Sequence, residues 1–327
     1  MKKILLLLAM SCLLLTSAFM TGCGQEAKGN AATSEKIVLE YSPELAAMGF
    51  KDPVVLPKRP ERVVSLVHTP VLALHEMGVK QIIIPENKMF AWPEDLAKEA
   101  KEFNVSMNDN FDIESIIAEQ PDLVIVGYQA KDSYGKILEK EKIPVYYVDA
   151  GHIVPYSSIK NLTENLIKAF GKDNPGAIAI EKRFADLEKR MAAKREDNKG
   201  KRVMVLQSGP PRHFIQNREG TLGNMADLLG YENVYQDTKA KLVLLDKEQA
   251  LSYHPDLLLC VGGSPTSEGH QKVMEEDFAR NPEYWNSISA IREGHVVYLP
   301  IKYVASAGIN VIDNINELID ILEARNL

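Results

Sequence analysis

The sequence predicts an α/β protein of two Rossmann-like lobes with mainly parallel sheets, joined by a single long backbone helix, with a ligand cleft between the lobes. Three observations carry this prediction. Short apolar runs alternate with helical patterns, the grammar of a parallel sheet covered on both faces. Three runs recur in the same order in the two halves of the chain. Arg62-Val63-Val64-Ser65-Leu66 is echoed by Arg202-Val203-Met204-Val205-Leu206. Gln120-Pro121-Asp122-Leu123-Val124-Ile125 is echoed by His254-Pro255-Asp256-Leu257-Leu258-Leu259, and Pro144-Val145-Tyr146-Tyr147-Val148 by His295-Val296-Val297-Tyr298-Leu299. Between the halves lies the most helical stretch. Asn174-Pro175 supplies a cap and a first-turn proline, Ala177, Ile180, Phe184, Leu187 and Met191 recur at spacings of three and four, and Asn198-Lys199-Gly200 ends it.

The elements follow in order. In the first lobe a strand at 62–67 leads to a helix carrying Val71, Leu74, His75 and Met77, stopped by Gly78. A strand at 81–84, a helix face of Ile113, Ile116 and Ile117, a strand at 121–126, a helix at 134–141 and a strand at 143–149 complete it. The predicted boundaries are residues 36–172 for the N-terminal lobe, 173–199 for the linking helix and 200–327 for the C-terminal lobe.

The first 35 residues are of a different kind. Lys2 and Lys3 precede an apolar run ending near Phe19, too short to span a bilayer comfortably, and then come Met20-Thr21-Gly22-Cys23. This resembles the bacterial lipoprotein signal. The resemblance implies removal of residues 1–22 and lipidation of Cys23, with residues 23–35 a flexible tether and the chain held outside the cytoplasm by its lipid anchor alone. Cys12 leaves with the signal, so Cys260, in the apolar run Leu257-Leu258-Leu259-Cys260-Val261, is the only ordinary thiol left. That excludes an internal disulfide and a cysteine-built zinc site. Without Lys2 and Lys3 the chain carries 36 Lys and Arg against 45 Asp and Glu, a balance of −9. Such acidity argues against a nucleic-acid partner, which needs clustered cations.

In open parallel sheets ligands sit beyond the carboxyl ends of the strands. That rule selects Val67-His68-Thr69-Pro70, residues 87–92, 104–110 and Gly127-Tyr128-Gln129 in the first half. In the second it selects residues 208–213, Gly262-Gly263-Ser264-Pro265 and Lys302-Tyr303. Enzyme signatures are thin. Ser157-Ser158-Ile159-Lys160 contains Ser-x-x-Lys without its companion motifs, and no Gly-x-Ser-x-Gly, His-Glu-x-x-His or glycine-rich phosphate loop occurs. The chain is therefore expected not to be an enzyme.

Lys58-Arg59-Pro60-Glu61-Arg62-Val63-Val64-Ser65-Leu66, Met77-Gly78, the Glu-x-Ile to Pro-Asp-Leu-Val stretch at 114–124, Leu222-Gly223-Asn224-Met225-Ala226-Asp227-Leu228-Leu229-Gly230, and the Trp285 to Tyr298 motif form an ordered set. Together they resemble the class III substrate-binding lipoproteins of ABC importers, which serve haem, ferric siderophores and cobalamin. The resemblance covers residues 58–327, and the second half looks nearest to the haem-binding branch. It implies a monomer that captures an iron complex, haem or ferric siderophore, and delivers it to permease and ATPase subunits. No cofactor of its own is expected. Cobalamin, and then bare Zn²⁺ or Mn²⁺, are the alternatives.

The site implied is built from His68, Thr69, Phe90, Trp92, Met107, Tyr128, Arg212, His213 and Tyr303. Phe90 and Trp92 would stack on a flat ligand, and Arg212 would fork onto a carboxylate. Haem proteins use His, Met and Tyr as axial ligands, so His213 and Met107 are assigned to iron, with His68 and Tyr303 as further possibilities. The family's docking glutamate falls on Leu72, so Glu76, one helical turn further, and Asp227 are the expected permease contacts.

Overall fold

Each repeated Pro-Asp pair has the same structural task, and it starts both sheets. The Asp122 carboxylate accepts the backbone N–H groups of Glu61 and Arg62 at 2.8 and 2.9 Å, and the Asp256 carboxylate accepts that of Arg202 at 2.7 Å. These bonds pin the amino ends of neighbouring parallel strands in register. The computed structural model of the chain describes residues 36–83, 92–102, 111–150, 153–237, 239–305 and 308–327. The signal and tether, with Cys23, and the loop residues Phe90 and Met107 lie outside the described residues.

The described chain begins with β1 (Ile37–Leu39), α1 (Pro43–Ala47) and β2 (Val54–Leu56), β1 and β2 pairing antiparallel. It continues through β3 (Val63–Ser65), α2 (Val71–Glu76), β4 (Gln81–Ile83), α3 (Glu94–Glu99), β5 (Lys101–Glu102) and α4 (Ile113–Ala118). Then come β6 (Leu123–Gly127), α5 (Lys136–Lys140), β7 (Val145–Val148), α6 (Tyr156–Phe170) and α7 (Pro175–Asp197). The second half runs β8 (Arg202–Gly209), β9 (Arg212–Gln216), α8 (Thr221–Leu228), β10 (Glu232–Asn233), β11 (Leu242–Leu244), α9 (Lys247–Ala250) and β12 (Leu257–Gly262). It closes with α10 (Ser267–Phe278), α11 (Pro282–Ser287), α12 (Ser289–Arg292), β13 (Val296–Leu299) and α13 (Asn310–Ala324).

The first sheet is wholly parallel, in the order β5-β4-β3-β6-β7. In the second, β8, β12 and β13 stand side by side and parallel, matching β3, β6 and β7. The three sequence echoes are therefore the same three strand positions in two sheets. The second sheet departs from the expected parallel pattern on its other flank. β9 runs antiparallel to β8, and β11 antiparallel to β9. Gly209-Pro210-Pro211-Arg212 is the tip of a hairpin, not a loop into a helix, so His213 lies inside a strand. A proline pair punctuates a sequence without saying which way the chain returns.

The helix α7 is 23 residues long, about 35 Å at 1.5 Å per residue. Asn174 caps it by accepting the N–H groups of Gly176 and Ala177 at 2.8 and 3.3 Å. Ala177, Ile180, Phe184, Leu187 and Met191 are buried in one apolar cluster that also contains Val63 of β3, Val203 of β8 and Leu318 of α13. The four larger side chains contribute about 1.5–3 kcal/mol each. Along the exposed flank Arg183 reaches Glu76 on α2 at 2.8 Å and Asp313 on α13 at 2.9 Å, and Lys194 reaches Glu323 at 2.9 Å. Part-exposed pairs of this kind contribute about 0–1 kcal/mol, so burial holds the helix and the ions orient it. No helix among the described residues is long and apolar enough to cross a membrane.

Both ends of α7 are seated without slack. A Cβ on Gly176 would collide with the Glu76 carbonyl of α2, and one on Gly230, at φ +90°, would lie 2.6 Å from the Arg195 backbone. Gly176→Ala and Gly230→Ala are each predicted to cost about 1–3 kcal/mol in urea denaturation, whereas Gly263→Ala, with open space around it, should change stability by less than about 0.5 kcal/mol.

Candidate ligand-binding site

Strand order locates the site before any side chain does. In the first sheet the chain leaves β3 in both directions, to β4 and to β6, so the crevice between the carboxyl ends of β3 and β6 is a topological switch point. The loops there carry His68 and Thr69 on one side and Tyr128 on the other. In the second half β8 is flanked by β10 and β9 on one edge and by β12 on the other, and its carboxyl end leads into the hairpin tip with Arg212. The carboxyl-end loops of the two sheets touch. Gly308, beyond β13, lies so close to Thr69 that a Cβ would collide with its carbonyl. Away from that contact the halves also meet where Lys241 Nζ, just before β11, donates to the Ile153 carbonyl at 3.1 Å, and where the Tyr156 N–H at the start of α6 donates to Asn224 Oδ1 on α8 at 3.1 Å.

The sequence-predicted residues divide into three groups. His68 is half-buried and stacks on Trp92 with ring centroids 5.2 Å apart and planes at 28°. Trp92 is buried among Val71, Ile83 and Leu96, so its indole packs the first lobe's interior instead of offering an open face. Thr69 is buried at the contact with Gly308. Tyr128 is half-buried, edge-on to Phe50 at 6.3 Å, where a 3₁₀ turn at Tyr128–Ala130 runs into a π-turn at Lys131–Gly135. Irregular turns of this kind are frequent at functional sites. Arg212 is exposed and has no carboxylate partner among the described residues.

Two residues have other work. Tyr303 is fully buried, and its hydroxyl donates to the Asn314 carbonyl of α13 at 3.2 Å, so it anchors the C-terminal helix. His213 is 4% exposed and both ring nitrogens are engaged: Nε2 is 3.1 Å from Asp277 Oδ2, and Nδ1 is 3.0 Å from Ser208 Oγ. The axial role assigned to it from sequence has no free nitrogen to use. The reason is the hairpin, which turns the side chain back under α10.

The same core holds two polar residues, Asp277 and His270, that sequence reasoning did not single out. Asp277, on α10, is buried, and the Cys260 thiol lies 3.4 Å from His270 Nε2. Burial pushes the Cys260 thiol up to about 12 and His270 down to about 4. Burial also holds His213 below its ordinary value, against the opposing pull of Asp277. Among the described residues no three His, Cys, Asp or Glu side chains converge as a metal site would require.

These findings meet a family assignment. Residues 63–303 match the model of the periplasmic binding protein family, and the chain belongs to that family. Among curated relatives, the high-affinity heme uptake system protein IsdE of Staphylococcus aureus (strain MRSA252) is 20% identical over 230 residues, 68% of this chain and 75% of its own length. Among solved structures, the petrobactin-binding protein YclQ of Bacillus subtilis superposes with a TM-score of 0.64 at 22% identity, over 89% of this chain and 99% of its own. IsdE of S. aureus complexed with heme gives 0.59 at 17% identity, over 79% and 97%. These likenesses establish the two-lobed α/β fold.

Both buried imidazoles, His213 and His270, favour the neutral form, so their stabilisation is complete above the unfolded-state value near 6.5 and is lost as pH falls below it, for His270 down to about 4. The melting temperature should drop between pH 7.5 and pH 4.5, and the drop should be shallower in His270→Gln.

Proposed function

We propose that this protein is the extracytoplasmic substrate-binding component of an ABC importer, capturing an iron complex, haem or ferric siderophore, for a permease and its ATPase subunits. The observation that carries the reading is the contact between the carboxyl-end loops of two matching sheets, at Thr69 and Gly308, beside the switch point of the first sheet. A guest held there is enclosed by both halves. Membership of the periplasmic binding protein family supports a binding role without catalysis, and the heme and petrobactin named for the relatives support the class of cargo.

In this reading residues 36–172 and 200–327 are the two lobes and 173–199 the link. Residues 1–22 are a signal removed on export, Cys23 carries the lipid, and residues up to 35 tether a monomer to the membrane. Arg212 takes a carboxylate or other anionic group of the cargo, because its guanidinium is exposed and unpaired among the described residues while lying at a strand end. His68, Thr69 and Tyr128 form the facing wall, with Phe90 and with Met107 as an axial ligand from the loops between. Asp227, exposed on α8, is the better docking residue for a basic permease side chain, since Glu76 is held by Arg183. The absence of a three-ligand cluster among the described residues gives the bare-ion alternative no support.

The test is a titration panel of haem, a ferric catecholate siderophore and cobalamin, followed by absorbance and tryptophan fluorescence. Saturable binding of an iron chelate is expected, with Arg212→Ala weakening it about tenfold, the size of one charge-assisted hydrogen bond. Binding of cobalamin alone, or of none of the three, would overturn the assignment.

A further inference from the structure

The second lobe's core is apolar wherever it is far from the strand ends: Met204, Leu206, Ile215 and Leu258 fill it. At the carboxyl end of β8 the composition changes. Ser208, His213 and Asp277 are buried there at 4%, 4% and 9% exposure. Burying a carboxylate, an imidazole and a hydroxyl costs free energy that an apolar trio would not incur, so packing alone does not account for them. Their arrangement is a chain. With the proton on Nε2, His213 donates to Asp277 Oδ2 at 3.1 Å and accepts the Ser208 hydroxyl on Nδ1 at 3.0 Å. Trp285 lies edge-on to the imidazole at 5.1 Å and fixes its plane.

The chain crosses three elements at one place. Ser208 and His213 are directly opposite each other in β8 and β9, and the next pair outward is Gly209 and Arg212, the last before the two-residue tip. Asp277 belongs to α10, so the hairpin cannot slide or splay relative to that helix without breaking a buried charge-assisted bond. Arg212, adjacent to His213, points from the opposite face of β9.

We propose that Asp277, His213 and Ser208 form a positioning relay that holds the β8–β9 hairpin and thereby aims Arg212 at the bound cargo. The proposal rests on the reading of Arg212 as a ligand contact, and it makes His213 a positioning residue that acts through Arg212.

Two measurements on the full chain test it. In the ligand-free protein, His213→Gln should speed hydrogen exchange of the Gly209 and Arg212 amides roughly tenfold while the β12 amides keep their protection. Unchanged exchange at the hairpin would overturn the relay whatever the cargo is. Haem titration of the wild type, Arg212→Ala, His213→Gln and the double variant forms a cycle. His213→Gln should weaken haem binding roughly fivefold when Arg212 is present and have no effect when it is absent. An equal loss in both backgrounds, or none in either, would contradict action through Arg212. If the wild type binds a ferric catecholate siderophore and not haem, the same cycle is read with that chelate; if it binds neither, the cargo assignment fails and the exchange result alone decides the relay. Should His213→Gln fold poorly, Asp277→Asn, which keeps the shape and removes the charge, takes its place in both experiments with a smaller expected effect in the same direction.

Discussion

Everything in this structure is referred to the two ends of α7, where the same interaction is made twice. At its start the Asn174 side-chain amide donates to the Met77 carbonyl, just beyond α2, at 2.8 Å. At its finish the Asn198 amide donates to the Leu229 carbonyl, just beyond α8, at 3.0 Å. α2 and α8 are the first helices to follow the matching strands β3 and β8. The long helix therefore grips the same point of each half, and the close approaches at Gly176 and Gly230 leave no room for either grip to slip. A buried apolar face between the grips, and α13 running alongside through Arg183, Arg190 and Lys194, make the connection stiff along its length.

A stiff connection changes what the site must do. If the separation of the two sheets is nearly fixed, cargo cannot be enclosed by a large swing, so the loops at the strand ends have to be shaped before it arrives. The contact of Gly308 with Thr69 sets one edge of that frame. The irregular turns after β6 and the hairpin tip after β8 lie at the same strand ends, where His68 packs on the buried Trp92 and Arg212 stands next to His213, whose ring ties the hairpin to α10. Preorganisation of this kind lowers the ordering cost of binding.

Much of the frame was legible in the sequence because it rests on local rules. Apolar runs place β3, β6, β8 and β12 to within about three residues, and the Pro-Asp echo carries a mechanical meaning, since each aspartate ties the strand beside it. Asn174-Pro175 and the spacing of Ile180, Phe184 and Leu187 placed α7 almost to its ends. What escaped were features decided by tertiary direction. Nothing in Pro210-Pro211 says that the chain doubles back, so the sequence alone offers His213 to a ligand, whereas its ring faces Asp277 of α10. For Tyr303 and Trp92 the sequence is ambiguous because aromatic residues suit both a flat ligand and a core, and the packing that selects the core is not local. Asp277 had no motif around it at all.

Two asparagine grips on one helix should fix the distance between the sheets, and pulsed electron paramagnetic resonance measures that distance directly. With Cys12 and Cys23 replaced by serine and Cys260 fully buried, spin labels at Ser133 and Glu268 would report across the strand ends of the two halves. One narrow distance is expected, unchanged by cargo to within a few ångströms and broadened when Asn174 and Asn198 are both replaced by alanine. A broad or two-peaked distribution in the unaltered helix, or no broadening in the double variant, would contradict it.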